Sequence, residues 1–193
     1  LQRIKSASTG LLHLVDDILE VAQLEAQNRE LEAEDFALQG SLESVHYHIQ
    51  NQAEEKDLDL VWEVQSEIPR TLVGNAAALS KVLDKLLGNA IKFTEAGQVS
   101  LRVSCLHRDA DTIHLQFEIE DTGRGIPQEQ QKAIFDAFVQ ADGSATRLHE
   151  GAGLGLTIAG KLIRLMGGKL DLESEEEKGT RLWFDVTFEI SEL

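Results

Sequence analysis

Residues Asp121 to Gly155 read DTGRGIPQEQQKAIFDAFVQADGSATRLHEGAGLG, and they decide how the rest of the chain is read. Two glycine clusters, Asp121-Thr-Gly-Arg-Gly and Gly151-Ala-Gly-Leu-Gly, flank a polar run from Ala141 to Glu150 that has no apolar periodicity. Glycines let a backbone approach a ligand closely and present its N–H groups, which is the chemistry a polyphosphate needs. The second cluster opens into Leu154, Leu156, Ile158, Ala159, Leu162, Ile163 and Met166, a helical pattern, so its N–H groups fall where the helix dipole is positive. A dinucleotide fingerprint would need a strand just before Gly151, but Ala145 to Glu150 reads as a loop, and that reading is rejected. Either cluster alone is equally well a set of turns; the pair is what carries information.

Upstream, Leu79, Val82, Leu83, Leu86, Leu87, Ala90 and Ile91 predict a strong helix that leaves Lys81, Lys85, Asn89 and Lys92 near one another on a second face. Alternation predicts strands over Leu58–Val64, Thr71–Val73, Val99–Cys105, Thr112–Glu120, Lys169–Ser174 and Thr180–Phe188. The polar HRDAD segment joins the third and fourth strands of that series, and Lys178-Gly179 turns the last pair. A short strand near Phe36–Leu38 precedes a helix carrying Leu42, Val45, Ile49 and Ala53. From Leu1 to about Gln27, Ile4, Leu11 and Ile18 and then Ala7, Leu14 and Val21 repeat at heptad spacing. Leu12, Val15, Leu19 and Ala22 widen that stripe beyond one contact, which predicts a helix belonging to a bundle completed by other chain or by a second copy. No N-cap signal precedes it, and the expectation is a fragment of a longer protein.

Composition sets outer limits. The 193 residues suit a main domain with an appendage, and 42% hydrophobic with 27% charged residues is ordinary globular chemistry. The formal charge of −16 excludes a general nucleic-acid binder, so any polyanion must be held locally. Cys105 is alone, which rules out an intrachain disulfide and a thiolate metal site. The six histidines lack ligand spacing and are expected to be structural or solvated.

Four ordered segments carry a resemblance. Leu86-Leu-Gly-Asn89-Ala-Ile-Lys92-Phe-Thr, Asp121-Thr-Gly123-Arg-Gly125-Ile, Ile134-Phe135-Asp-Ala-Phe138-Val-Gln140 and Gly151-Ala-Gly153-Leu-Gly155-Leu resemble the N, G1, F and G2 boxes of bacterial sensor histidine kinases. Gly179-Thr180 is similar to the G3 element, Leu12 to Glu25 resembles the second helix of the dimerisation and histidine-phosphotransfer region, and the run from there to Gln140 is similar above all to hybrid sensor kinases. The resemblance implies an α/β fold of GHKL (Bergerat) type, a two-layer sandwich with a mixed sheet and helices on one face, preceded by a long bundle-forming helix. Its domains would be residues 1–30, a partial dimerisation region, and residues 31–193, an ATP-binding catalytic domain. It implies ATP and Mg²⁺, with Asp121 accepting from the adenine amino group and Gly123 and Gly125 leaving room for the base. Asn89 would face Mg²⁺ and Lys92 and Arg147 the phosphates, with Gly151, Gly153 and Gly155 as backbone donors. Phe93, Ile126 and Leu156 would line the site, Thr180 would reach the adenine side, and Phe135 and Phe138 would anchor a mobile lid. Each also has a plain structural role open to it: a turn cap for Asp121, a backbone bond for Asn89, solvation for the cations. Implied partners are a second copy through the helical bundle, a response-regulator receiver domain and possible pairing with another histidine kinase; the implied location is a cytoplasmic segment of an inner-membrane receptor.

Departures from the pattern are informative. Lys85 stands where the family has a second asparagine, one turn before Asn89, and Gly74-Asn75-Ala76-Ala77-Ala78-Leu79-Ser80-Lys81 lacks the usual Asp, Arg and Gln. At an effective dielectric of 20, two unit charges 4 Å apart interact by about 4 kcal/mol, so an ammonium beside Mg²⁺ is costly unless it swings aside or takes over phosphate charge. Glu150 adds negative charge where the lid usually has Gly. No histidine here is followed by the acceptor sequence, so the expected activity is transfer of the ATP γ-phosphate to a histidine outside this chain. The alternative is a degenerate, weakly binding or non-binding domain that regulates by pairing with another kinase.

Overall fold

The computed structural model describes Val15, Leu19 and residues 31–131, 133–135 and 154–191. Element order is β1 (Glu34–Ala37), α1 (Leu38–Glu54), β2 (Asp59–Val64), β3 (Thr71–Gly74), α2 (Ala76–Phe93), β4 (Gln98–Arg108), β5 (Thr112–Asp121), a 3-10 turn (Ala133–Phe135), α3 (Gly155–Leu165), β6 (Lys169–Glu175) and β7 (Gly179–Ile190). The seven-stranded sheet runs β1-β3-β7-β5-β4-β2, with β6 also paired to β7. The β2–β4 pair is parallel and the other pairs are antiparallel, which makes the sheet mixed.

Strand alternation divides the sheet into two unlike faces. Val99, Leu101 and Val103 of β4, Ile113, Leu115, Phe117 and Ile119 of β5 and Leu182, Phe184, Val186 and Phe188 of β7 are buried under the helices. Each such side chain contributes roughly 1.5–3 kcal/mol when fully buried. Phe117 and Phe184 are cross-strand partners with stacked rings 4.9 Å apart. The helices meet this face with the stripes read from sequence: Leu42, Val45, Ile49 and Ala53 of α1, Leu79 to Ile91 of α2, and Ile158, Ala159, Leu162 and Ile163 of α3. On the opposite face, Glu118 is buried although no helix among the described residues covers it. Arg102 Nη1 lies 2.8 Å from its carboxylate and Arg181 pairs with it from the other side, while Glu63 (2.9 Å) and Glu173 (3.2 Å) extend the row across five strands.

Boundaries moved at the first strand and at the HRDAD loop. The first strand is Glu34–Ala37 rather than Phe36–Leu38, because Leu38 already opens α1. The HRDAD loop shrinks, since β4 continues to Arg108 after a register shift between Cys105 and His107 that leaves Leu106 exposed. The changed run before α2 keeps a cap: Asn75 Oδ1 accepts from the Ala78 N–H at 2.7 Å and its Nδ2 donates to the Glu32 carbonyl at 2.9 Å. Most of the heptad helix lies outside the described residues; Val15 and Leu19 are helical and exposed.

Candidate functional site

Asp121 is the last residue of β5 and shares the parity of Ile119, so its carboxylate points under the helices and is only 8% exposed. Its cross-strand partner is Thr180, itself buried, at the start of β7. The Gly123 N–H donates to Asp121 Oδ1 at 2.9 Å, and the Thr180 N–H also bonds the carboxylate. Burial pushes the carboxyl up to about 6, the two N–H groups pull it back, and neighbouring Glu120 pushes it up further. Because the native value lies above the ordinary 3.8, the folded protein holds the extra proton between those values. The stabilisation from the protonated group is therefore full below about pH 4 and lost as pH rises through 6, a change of about 3 kcal/mol. Urea unfolding at pH 4 and pH 7 should show that loss in the native chain relative to Asp121→Asn; parallel pH profiles would show that the carboxyl is not buried as described.

The loop after Asp121 closes onto the C-terminal end of α2. A Cβ on Gly123 would stand 2.6 Å from the Phe93 carbonyl oxygen and 3.0 Å from Thr94 Oγ1. Gly125 has φ +66°, and a methyl there would overlap the Glu175 carbonyl. The space these glycines give up is thus taken by the protein's own backbone, in addition to any room they leave for a base. Ser174 holds the arrangement together: its Oγ accepts from the Ile126 N–H at 2.8 Å, donates to the Gly179 carbonyl at 2.9 Å and lies 3.0 Å from Thr180 Oγ1. Gln131 Nε2 donates to the carbonyls of both Ile126 and Ser174. Half-buried Phe93 sits between two cations, with Lys92 Nζ 4.6 Å and Arg124 Cζ 4.9 Å from its ring centre.

Asn89 lies one helical turn before Phe93 on α2, about 6 Å along the axis at 1.5 Å per residue. A Cβ on Gly155, the first residue of α3, would be 3.4 Å from Asn89 Nδ2, 3.7 Å from its Oδ1 and 3.9 Å from Lys85 Cδ. The N-terminus of α3 is thereby placed against both side chains. Leu154 supplies no side-chain cap and the first turn of α3 holds no acid. Leu156 is half-buried on the same turn and packs on the core. Phe135 is half-buried, its carbonyl accepting from Thr157 Oγ1 at 3.4 Å, while Ile134 beside it is the buried anchor. Lys81 is exposed. Arg147, Glu150, Gly151, Gly153 and Phe138 lie outside the described residues.

Sequence reasoning missed Lys56. Its ammonium donates to the carbonyls of Ile91 (2.7 Å), Lys92 (2.8 Å) and Thr94 (3.1 Å), closing the C-terminal end of α2. Lys56→Met should cost about 1–2 kcal/mol in urea unfolding, because orphaned carbonyls at a helix end lose a charged donor. An unchanged unfolding midpoint would show the contacts to be incidental. Ser174, Gln131 and Arg124 were also missed.

Residues 74–190 match the family described as histidine kinase-, DNA gyrase B-, and HSP90-like ATPase. The sensory/regulatory protein RpfC of Xanthomonas campestris is 38% identical over 193 residues, covering 100% of this chain and 27% of that protein. The signal transduction histidine-protein kinase BarA of Escherichia coli is 34% identical over 191 residues, covering 99% of this chain and 21% of BarA. The chain therefore spans about a quarter of the length of these relatives. The crystal structure of full-length ShkA in complex with AMPPNP superposes with a TM-score of 0.81 at 35% identity, over 94% of this chain and 36% of that one. The fold is the mixed-sheet α/β sandwich of histidine kinase catalytic domains, and the chain belongs to the histidine kinase-, DNA gyrase B- and HSP90-like ATPase family.

Proposed function

We propose that this chain is the ATP-binding catalytic domain of a sensor histidine kinase, residues 31–193, joined to part of a dimerisation helix in residues 1–30. The observation that supports it most is the role of α2. Its C-terminal end backs the Asp121–Gly125 loop, and Asn89, one turn earlier, meets the first residue of α3. Base and phosphate ends of a nucleotide thereby find their chemistry along a single helix. Asp121 accepts from the adenine amino group, with Thr180 and Ser174 beside it. Gly123, Gly125, Ile126 and Phe93 shape the base end. Asn89, Lys92, Gly155 and Leu156, with Arg147, Gly151 and Gly153, serve the phosphates, and Phe135 and Phe138 hold the base of the lid. Mg²⁺ would be held by the Asn89 amide oxygen, water and phosphate, and when bound it supplies charge neutralisation.

The γ-phosphoryl group leaves ADP as its bond to the bridging oxygen breaks and a bond to an imidazole nitrogen forms, the imidazole proton passing to solvent. The domain contributes positioning and charge, which is most of what phosphoryl transfer requires. The relatives favour a kinase over a degenerate regulator, since BarA is named a histidine-protein kinase and ShkA holds AMPPNP. In the whole protein we expect dimerisation through the helical bundle, a receiver domain as phosphoryl acceptor and attachment to the inner membrane. Among the described residues no helix is long and apolar enough to cross a membrane. With γ-labelled ATP, a longer chain containing both dimerisation helices should acquire an acid-labile, base-stable phosphate, and residues 1–193 alone should not. Absence of label from the longer chain, or label on the short one, would contradict the assignment.

A further inference from the structure

We propose that Ser174 sets the hydrogen-bond polarity at the base end of the site: it takes up the Thr180 hydroxyl proton, so that Asp121 and Thr180 both face the base as acceptors and select a 6-amino purine over a 6-oxo purine. The inference rests on the nucleotide site proposed above and adds to it a residue that positions a neighbour rather than touching the base. Asp121, Thr180 and Ser174 form a row across β5, β7 and β6, because Asp121 is the cross-strand partner of Thr180, and Thr180 of Ser174. They share the strand parity of Ile119, Leu182 and Leu172, which pack in the core. The row is thus the polar end of the apolar sheet face, with Cβ atoms of neighbours about 4.5–5.5 Å apart.

The direction of each hydrogen bond follows from what a serine hydroxyl holds, one proton and two lone pairs. The Gly179 carbonyl, 2.9 Å from Ser174 Oγ, can only accept, so it takes the serine proton. The Ile126 N–H donates to Ser174 Oγ at 2.8 Å and fills one lone pair. A single lone pair remains, and Thr180 Oγ1, at 3.0 Å, bonds it only by donating. The serine is held in this role by Gln131, whose Nε2 donates to the carbonyls of both Ser174 and Ile126. With its proton committed, Thr180 offers only lone pairs beside the Asp121 carboxylate. Two neighbouring acceptors suit an exocyclic amino group, which brings two hydrogens. A carbonyl oxygen at the same ring position would set lone pairs against lone pairs in a buried place, and is rejected.

Competition titration of the 193-residue chain with ATP and ITP, whose bases carry an amino or an oxo group at C6, tests the proposal against a bound fluorescent ATP analogue. At about pH 7.5, where Asp121 is ionised, the native chain should prefer ATP by at least about 100-fold. Ser174→Ala frees the Thr180 proton to turn toward the base and should lower that preference about tenfold, whereas a serine that only tethered Ile126 would on removal weaken both nucleotides alike. Ser174→Thr keeps the hydroxyl and should restore the preference to within about threefold of native. Thr180→Val removes the acceptor and should also lower the preference, and in that background Ser174→Ala should change it no further. Thermal unfolding identifies the folded variants. Equal affinity of the native chain for ATP and ITP, an unchanged preference in folded Ser174→Ala or Thr180→Val, or a folded Ser174→Thr that fails to restore it, overturns the role of Ser174 and leaves the nucleotide site standing. No ATP binding by the folded native chain overturns both.

Discussion

Asp121→Asn should weaken ATP binding about 100-fold at pH 7.5 while leaving the fold as stable as before or more so. The two effects separate because the carboxylate has two jobs. Toward the protein it accepts from Gly123 and Thr180, and the amide oxygen of Asn continues to do so. Toward the base it must accept a second hydrogen, where the Asn amide would present donors to donors. A lost charge-assisted bond of about 1.5–3 kcal/mol plus an unsatisfied buried donor gives the expected factor. Relief of a buried charge gives the gain in stability. Adenine affinity of the native chain should fall in parallel as pH drops below about 6, when the carboxyl takes up its proton. The checks are ATP titration and urea unfolding on one preparation; equal losses in both would make Asp121 a structural cap and nothing more.

Gly179→Ala carries the second large effect. Gly179 has φ +114°, a region L side chains rarely adopt, and a methyl there would overlap the Asp121 carbonyl oxygen, with Thr122 Cα 3.1 Å away. Neither neighbour can yield, since Asp121 is paired to Thr180 in the ladder and Ser174 donates to the Gly179 carbonyl. Backbone strain and overlap together should cost about 3–5 kcal/mol, visible as a fall of several degrees or more in the melting midpoint. Gly160→Ala is the internal control: among the described residues no heavy atom outside its own helix backbone and chain neighbours lies within 4 Å of its Cβ position, and the substitution should be near neutral or stabilising. If both substitutions behave alike, the close approach of Gly179 to Asp121 is not what fixes the site.

What the sequence made legible follows from locality. The stripes of α1, α2 and α3 are periodic within one element, and the residues expected on their apolar faces are buried, except Leu156 and Met166, which are half-buried against the core. Asp121 was legible because a carboxylate ending an alternating strand before two glycines is an unusual local pattern. Lys56 was not, since its acceptors lie 35 to 38 residues away and a lysine in a charged segment carries no local sign of them. Ser174 escaped for the same reason: it reads as one polar residue in an acidic hairpin until β6 pairs with β7 and the Gly125 loop arrives. The row through Glu118 depends on strand register across β2, β4, β5, β7 and β6, which alternation within each strand leaves open. Asn75 shows the converse: as a departure from a motif it looked like a loss, yet as a cap it was a local signal already present.

The account turns on where a nucleotide lies relative to α2, and a crystal structure of the chain with a non-hydrolysable ATP analogue measures that directly. It should place the adenine amino group within hydrogen-bonding distance of the Asp121 carboxylate, with the phosphates between Asn89 and the first turn of α3. An analogue bound elsewhere, or one whose base leaves Asp121 untouched, would contradict it.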